Sequence, residues 1–482
     1  MNWLLIAEIF YVLILVATCI RIVYDTRSTT KTMAYLMLAI FLPVAGIIFY
    51  FSFGINYRKR KIYGRKEISD TRVLEELKKE TTAYTEDALK HAGSVVQEFK
   101  ELARLLVKDQ QSPFTRHNKV KLLLNGEEKF PDVLEALRAA TNHIHIEYYI
   151  VEEGEIASQL EKVLLQKASE GVEVRFIYDD FGSRSIRRKT IQRLKAGGIK
   201  TAPFYKVRFL LLANRLNYRN HRKIIVIDGQ TAFTGGINIS DRYINNKPGQ
   251  LYWRDTHLRI DGPGVYYLQY LFLNDWNFCS GESLQPGAFL FPSPHIHKKE
   301  DILVQIAASG PDSTQPSILF SLLQAVYLAQ EEILITTPYF IPGESMLEAL
   351  SIAALSGLSV KLLVPGESDS RLVNAAARSY YEELLKAGVE IYQYRKGFVH
   401  AKTLVADGKL SVVGTANMDY RSFELNFEVN ALVYDSEFSK KLRAVFYEDL
   451  RHAEKIDPVS WINRPVYKQL KEKVARLLSP LL

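Results

Sequence analysis

Two cysteines in 482 residues leave no basis for a disulfide framework. Cys19 falls in an apolar stretch and Cys279 stands alone, a usage that fits a reducing compartment. There are ten histidines, and no His or Cys group has the spacing of a zinc site. His143 and His145 alternate along an expected strand, and His295 and His297 sit in a proline-rich loop; all four read as structural or solvated. No metal and no cofactor are expected. An excess of one charge is also slight: 62 Lys and Arg against 54 Asp and Glu leave a net +8. That excess favours an anionic surface without choosing between lipid and nucleic acid. With 47% hydrophobic and 24% charged residues, the chain reads as folded and long enough for two or three domains.

Charge is missing locally as well. Residues 3–20 are apolar apart from Glu8 and Thr18, and residues 33–53 carry no charge at all. Each is long enough to cross a bilayer. The first has the length of a signal peptide, but it lacks a basic flank and a clear small-residue cleavage site and a second span follows at once, which argues for a membrane anchor instead. A transmembrane hairpin over residues 1–55 is expected. Arg58, Lys59, Arg60, Lys61, Arg65 and Lys66 follow with no acidic residue among them. The positive-inside rule then puts the N-terminus and everything after the hairpin in the cytoplasm, as a multi-pass cell-membrane protein. The same cluster should touch anionic head groups. Residues 56–112 read as a basic, helical connector, with Leu89, Val96, Phe99, Leu102 and Leu106 at helical spacing.

From residue 113 strands and helices alternate, in two series: 120–124, 132–140, 144–151, 156–169 and 172–178, then 318–329, 333–337, 345–355 and 360–364. Short alternating elements imply an α/β sandwich in each of two halves. The Gly-, Pro- and Ser-rich stretch 280–294 divides them, giving halves of 113–285 and 286–482.

What is present twice is a polar pattern. Residues 221–238 read HRKIIVIDGQTAFTGGIN and residues 400–417 read HAKTLVADGKLSVVGTAN, identical at seven of eighteen aligned positions. Such a repeat predicts a duplicated domain with one shared site. Each copy reads as a hairpin turning at Asp228-Gly229 or Asp407-Gly408. A two-residue turn would set Lys223 opposite Thr234 and His221 opposite Gly236, with Asn238 on the same face. By the same count His400, Lys402, Val413, Thr415 and Asn417 are coplanar. Imidazole, ammonium and amide together suit an oxyanion. Asp228 and Asp407 sit at the turns, where they favour turn formation.

His-x-Lys, four residues, Asp, six residues and Gly-x-x-Asn resemble the signature of the phospholipase D superfamily. The stretches 217–229, 310–347 and 417–431, the two apolar N-terminal segments and the closing LLSPLL are similar to bacterial cardiolipin synthases. The resemblance implies two α/β sandwich halves about a pseudo-two-fold, with one metal-independent active site at the seam. It implies His221, Lys223, Asp228, His400, Lys402 and Asp407 as the catalytic motif residues, supported by Asn238 and Asn417. His221 would be the nucleophile that forms a phosphohistidine, and His400 the acid and base. Asp255 and Glu428 would each orient a histidine, by the superfamily's use of a downstream acid. The implied reaction converts two phosphatidylglycerols, one donor and one acceptor, into cardiolipin and glycerol. Phospholipase D hydrolysis and phosphatidylserine synthesis are the alternatives; a membrane-anchored nuclease or a scaffold is further off, and no nucleic-acid partner is expected. Residues 209–213 and the amphipathic stretch 467–482 could touch lipid; docking of the latter on the body is the favoured expectation.

Overall fold

The computed structural model describes residues 3–26, 29–51, 85–90, 93–186, 188–205, 218–246, 249–293 and 300–479. The basic cluster at 58–66, the apolar loop 209–213, His295 and His297 lie outside them. Helix α1 (Trp3–Asp25) is long and apolar enough to cross a membrane. At ~1.5 Å per residue it reaches about 34 Å, against a hydrocarbon core of about 30 Å. The second apolar segment is not one helix. It divides into α2 (Thr29–Phe41) and α3 (Pro43–Phe49). Leu42 leaves the helical region because a residue before proline is pushed out of it, and Pro43 opens the next helix at its first turn. The three helices meet around Ile22, Ala39 and Tyr50.

Two further helices, α4 (Ser94–Glu98) and α5 (Lys100–Gln110), occupy the end of the expected connector. They do not lead away from the body. Leu89, Val96, Phe99, Leu102 and Leu106 are buried in the core of the second half. The Gln305 side chain donates to Ala103 O and Ser112 O, which ties the segment to that half's first strand.

The first half contains β1 (Thr115–Leu124), α6 (Asn125–Ala139), β2 (His143–Tyr148), α7 (Glu155–Ser169) and β3 (Glu173–Asp179). It continues through α8 (Lys189–Ala196), β4 (Lys200–Phe204), β5 (Lys223–Ile227), β6 (Thr231–Gly235), β7 (Trp253–Arg254), β8 (Thr256–Asp261) and α9 (Val265–Ser280). No helix or strand occupies 281–293, the expected divide. The second half runs β9 (Ile302–Ser309), α10 (Ser317–Leu328), β10 (Glu332–Thr336), β11 (Phe340–Ile341), α11 (Gly343–Leu355), β12 (Ser359–Pro365), α12 (Arg371–Ala387) and β13 (Glu390–Tyr394). Then come β14 (Phe398–Val399), β15 (Thr403–Ala406), β16 (Leu410–Gly414), β17 (Met418–Asp419), α13 (Tyr420–Glu424) and β18 (Glu428–Tyr434). The chain closes with α14 (Ser436–Leu450), β19 (Ala453–Lys455), α15 (Pro458–Ile462) and α16 (Val466–Arg476).

Strand order is β1-β8-β6-β5-β2-β3-β4 in one half and β9-β18-β16-β15-β10-β12-β13 in the other, with β19 added at the edge. The two orders correspond strand for strand. The sheets join through the antiparallel pair β1–β9, beside a bulge between Thr115 and Asn118. They also pack together: Ile224, Val226, Leu258 and Ile260 share one apolar core with Val304, Val405, Val413 and Val429. The repeated hairpins therefore share one core, which Val265, Leu268 and Leu271 of α9 and Phe438, Leu442 and Phe446 of α14 complete.

α16 lies along α12, held by Glu472, which accepts from Arg378 and Arg464, and by buried Ala475. The expected docking is present but uses the polar edge. Leu470, Val474, Leu477 and Leu478 point to solvent.

Candidate active site

Each hairpin carries its histidine just before the first strand. The register differs by one residue from that of a two-residue turn. Ile227 pairs with Thr231 and Ala406 with Leu410, so three residues make each loop. Ile224, not Lys223, lies opposite Thr234, and Thr403, not Lys402, opposite Val413. Asp228 and Gly229, like Asp407 and Gly408, have positive φ, and Gln230 or Lys409 is the extra residue. Such a slip moves every partner to the other face, which removes Thr234 and Val413 from the face of the lysines.

The extra residue follows from what the aspartates do. Asp228 accepts from the backbone N–H groups of Thr141, Asn142 and His143 and from the Thr141 hydroxyl. Asp407 accepts from the N–H groups of Gln330, Glu331 and Glu332. Each carboxylate thus fastens the hairpin to the start of the neighbouring strand. Counted among the catalytic group by motif, both stand at the far end of the hairpin, roughly 20 Å from the histidine at ~3.3 Å per residue.

The histidine ends converge at the seam. The His221 N–H donates to Phe427 O at 2.9 Å, and the His400 N–H to Arg254 O at 2.7 Å. Each histidine is thereby stitched to the residue before an acid of the opposite half. His221 Nδ1 lies 3.0 Å from Glu428 Oε1, and His400 Nδ1 lies 2.7 Å from Asp255 Oδ2. The carboxylates fix the Nδ1–H tautomer and leave both Nε2 atoms free. Both acids are fully buried. Burial opposes ionisation of Asp255, but Lys402 and His400 outweigh it and hold the carboxyl below its usual range. Burial, with Lys402 Nζ 2.9 Å away, depresses the His400 imidazole to about 4 despite Asp255. His400 is therefore neutral near pH 7.

Lys223 and Lys402 are buried, and each ammonium donates back to the carbonyl of its own histidine. Burial lowers Lys223 to about 8 and Lys402 to about 7, although Glu428 and Asp255 pull the other way. Two cations held in a dry seam gain strongly from an arriving oxyanion. Asn238 donates to the Tyr243 hydroxyl at 2.9 Å, and that hydroxyl lies 3.5 Å from His400 Nδ1. Asn417 donates to Asp419 at 3.0 Å, and its carbonyl oxygen is buried without a protein partner. The amides thus line the seam without touching a histidine directly.

Some neighbours carried no signal in the sequence. Tyr149 packs on His221 at 4.1 Å, and Trp253 and Phe398 flank His400 at 5.4 and 5.9 Å. The Thr415 hydroxyl donates to Glu428 Oε2 at 2.5 Å. The first copy has Gly236 there, because a Cβ would come within 2.0 Å of Asp255 Oδ1. Among the described residues no His, Cys, Asp and Glu group could hold a metal ion. His143 and His145 are buried under α9, with His145 stacked on Phe272 and bonded to Gln269.

Comparison with known proteins bears on this arrangement. The family described as "Cardiolipin synthase, PLD-like domain" matches residues 133–251 and again 322–450. "Phospholipase_D-nuclease N-terminal" matches residues 11–54. A cardiolipin synthase of Halalkalibacterium halodurans is 43% identical over 466 residues, 96% of this chain and 91% of that protein. The major cardiolipin synthase ClsA of Bacillus subtilis is 38% identical over 484 residues, 99% of each. In structure, phosphatidylserine synthase of Haemophilus influenzae superposes with a TM-score of 0.58 at 16% identity, covering 79% of this chain and 100% of that one. At that identity the likeness is one of fold.

Proposed function

Because the chain belongs to the cardiolipin synthase family of phospholipase-D-like proteins, we propose that its seam transfers a phosphatidyl group from one phosphatidylglycerol to another, giving cardiolipin and glycerol. The observation that carries the reading is the pair of histidines, each held at Nδ1 by an acid of the opposite half, around two buried lysines. The donor phosphate sits between Lys223 and Lys402, which regain full charge as it arrives. One Nε2 lone pair attacks phosphorus. The bond to the glycerol oxygen breaks, and the other histidine, as imidazolium, gives that oxygen its proton. The terminal hydroxyl of the second phosphatidylglycerol then loses its proton to that same histidine. Its oxygen attacks phosphorus, and the phosphorus–nitrogen bond breaks. The first step exchanges a phosphoester for a phosphorus–nitrogen bond and the second reverses that exchange, so the net reaction swaps one phosphoester for another and abundant glycerol drives it backwards.

Family membership and a helix long enough to cross a bilayer associate the chain with membranes. The basic run after the hairpin supports a multi-pass anchor with the body on the cytoplasmic side. Such tethering holds the seam among acceptor lipids, which favours transfer over hydrolysis. The test supplies labelled phosphatidylglycerol to membranes containing the chain and separates the products. Cardiolipin and glycerol should dominate. A product that is mostly phosphatidic acid at high lipid density overturns the synthase reading in favour of a hydrolase.

A further inference from the structure

Transfer between two phosphatidylglycerols requires the enzyme to hold two phosphates, one reacting and one carried by the acceptor. The motif lysines and histidines account for the first. The surroundings of the two histidines differ in a way that bears on the second, although the motifs are duplicated. Two residues before His221 stands Arg219; two before His400 stands Phe398. Arg242 and Arg421 lie at equal distances after their motif histidines, 21 residues in each case (242 − 221 and 421 − 400). Arg242, over Trp253 on the His400 side, is neutralised by Glu152. Arg421 forms no ion pair among the described residues, and it lies within electrostatic reach of Arg219 and of Tyr149, the ring packed on His221.

Arg219 is 3% exposed, and its Nη1 is buried with no hydrogen-bond partner. Its guanidinium lies 4.4 Å from the Phe181 ring, with Arg184 4.0 Å from the same ring. The carboxylate within its reach is Asp179, whose oxygens already accept from the backbone N–H groups of Phe181, Gly182 and Asn220. Three guanidiniums beside Asp179, already engaged, and Glu428, engaged by His221 and Thr415, leave positive charge and an unused donor on the His221 side. The His400 side has aromatic rings and a neutralised arginine.

We propose that Arg219 and Arg421, with Arg184 at the rim, bind the phosphodiester of the acceptor phosphatidylglycerol on the His221 side of the seam. This rests on the synthase reading above and adds a direction to it. In an in-line displacement the alcohols enter and leave opposite the attacking nitrogen. If the acceptor is held beside His221, then His221 is the acid and base and His400 is the nucleophile, the reverse of the order implied by the superfamily resemblance. The neutral imidazole of His400 suits that role.

The reaction offers an internal control. Exchange of labelled glycerol into phosphatidylglycerol uses both histidines and both lysines but needs no second phosphate. Arg421→Gln and Arg219→Gln, in the full chain in mixed micelles, should lower cardiolipin formation about tenfold to a hundredfold, the loss of one charge-assisted hydrogen bond. The loss should fall on the KM for acceptor, glycerol exchange should fall far less, and Arg219→Lys should restore part of the transfer. Arg421, only partly buried, keeps the test usable should Arg219→Gln fail to fold. Rapid quench of the wild type with phosphate-labelled phosphatidylglycerol, followed by peptide mapping, should find the adduct on His400. Equal loss of both reactions, loss of neither, or an adduct on His221 overturns the proposal. A wild type that exchanges glycerol but makes no cardiolipin defeats the synthase reading, and the proposal with it. A failure confined to the arginine variants leaves that reading intact.

Discussion

Asp228→Ala removes a carboxylate that accepts four hydrogen bonds, at 2.7 to 2.9 Å, from Thr141, Asn142 and His143. Three of these bonds are exposed, so water replaces much of what is lost. At about 0.5 to 1 kcal/mol each they sum to about 2 to 4 kcal/mol. Asp228 also has φ +52°, where alanine costs about 1 kcal/mol more. A total of about 3 to 5 kcal/mol is expected. Asp228→Asn keeps one carbonyl acceptor and tolerates that φ, so its loss should be about half as large. Asp407→Ala, which loses three bonds and the same φ, should resemble Asp228→Ala. Thermal unfolding of the purified protein in detergent, followed by tryptophan fluorescence, measures the stability. Turnover well below the transition, corrected for folded fraction, measures the chemistry. The melting temperature should drop by several degrees and kcat of the folded fraction should stay near wild type. An unchanged melting temperature with kcat down a hundredfold would refute the structural role and return the aspartates to the reaction.

Asp255→Asn should leave a folded enzyme whose turnover falls by up to about 10⁴-fold, because His400 loses the acceptor that fixes its tautomer; a matching loss of stability without that kinetic defect would contradict it. His221→Ala and His400→Ala should each abolish both transfer and glycerol exchange, and Lys223→Ala and Lys402→Ala should each cost about 2 to 4 kcal/mol of transition-state stabilisation, as read from kcat/KM. The pH profile of kcat/KM should fall below about 4 as His400 protonates. It should fall again from about 7 to about 8 as Lys402 and Lys223 lose their protons, since only the ammonium forms capture phosphate. Lys402→Arg should move the alkaline limb upward, and an unmoved limb assigns it to another group. A reporter fused after Leu482 should behave as cytoplasmic; external activity would invert the topology.

Alternating strands and helices, the repeated hairpin and the polar set at its mouth were legible because each rests on local pattern. Two readings failed where a distant segment decides the outcome. Asp-Gly between apolar runs is the signal of a two-residue turn, yet Asp228 must also meet the N–H groups of 141–143, and the loop takes an extra residue to do so. The helical spacing of Leu89 to Leu106 was visible, but not its burial, because the surface it covers comes from residues beyond 300. Proline at position 43 should have warned against a single unbroken helix in the second apolar segment. Tyr149 reaches His221 only because β2 pairs with β5, and Tyr243 reaches His400 only across the seam; an isolated aromatic residue carries no such information.

The exchange of carboxylates between halves also bears on inheritance. A substitution in one copy is felt by the histidine of the other, so neither copy could drift alone after the sequence was doubled. The traces are visible in pairs. Asp255 goes with Gly236, whose missing Cβ makes room for the shorter acid. Glu428 goes with Thr415, whose hydroxyl meets the longer one. The members of each pair fit one another, so neither can be transplanted without the other. A chimaera carrying two first halves would set Asp255 against His221, and one carrying two second halves would set Glu428 against His400, so each histidine would meet an acid of the wrong length. The two copies remain alike in outline and have ceased to be interchangeable parts.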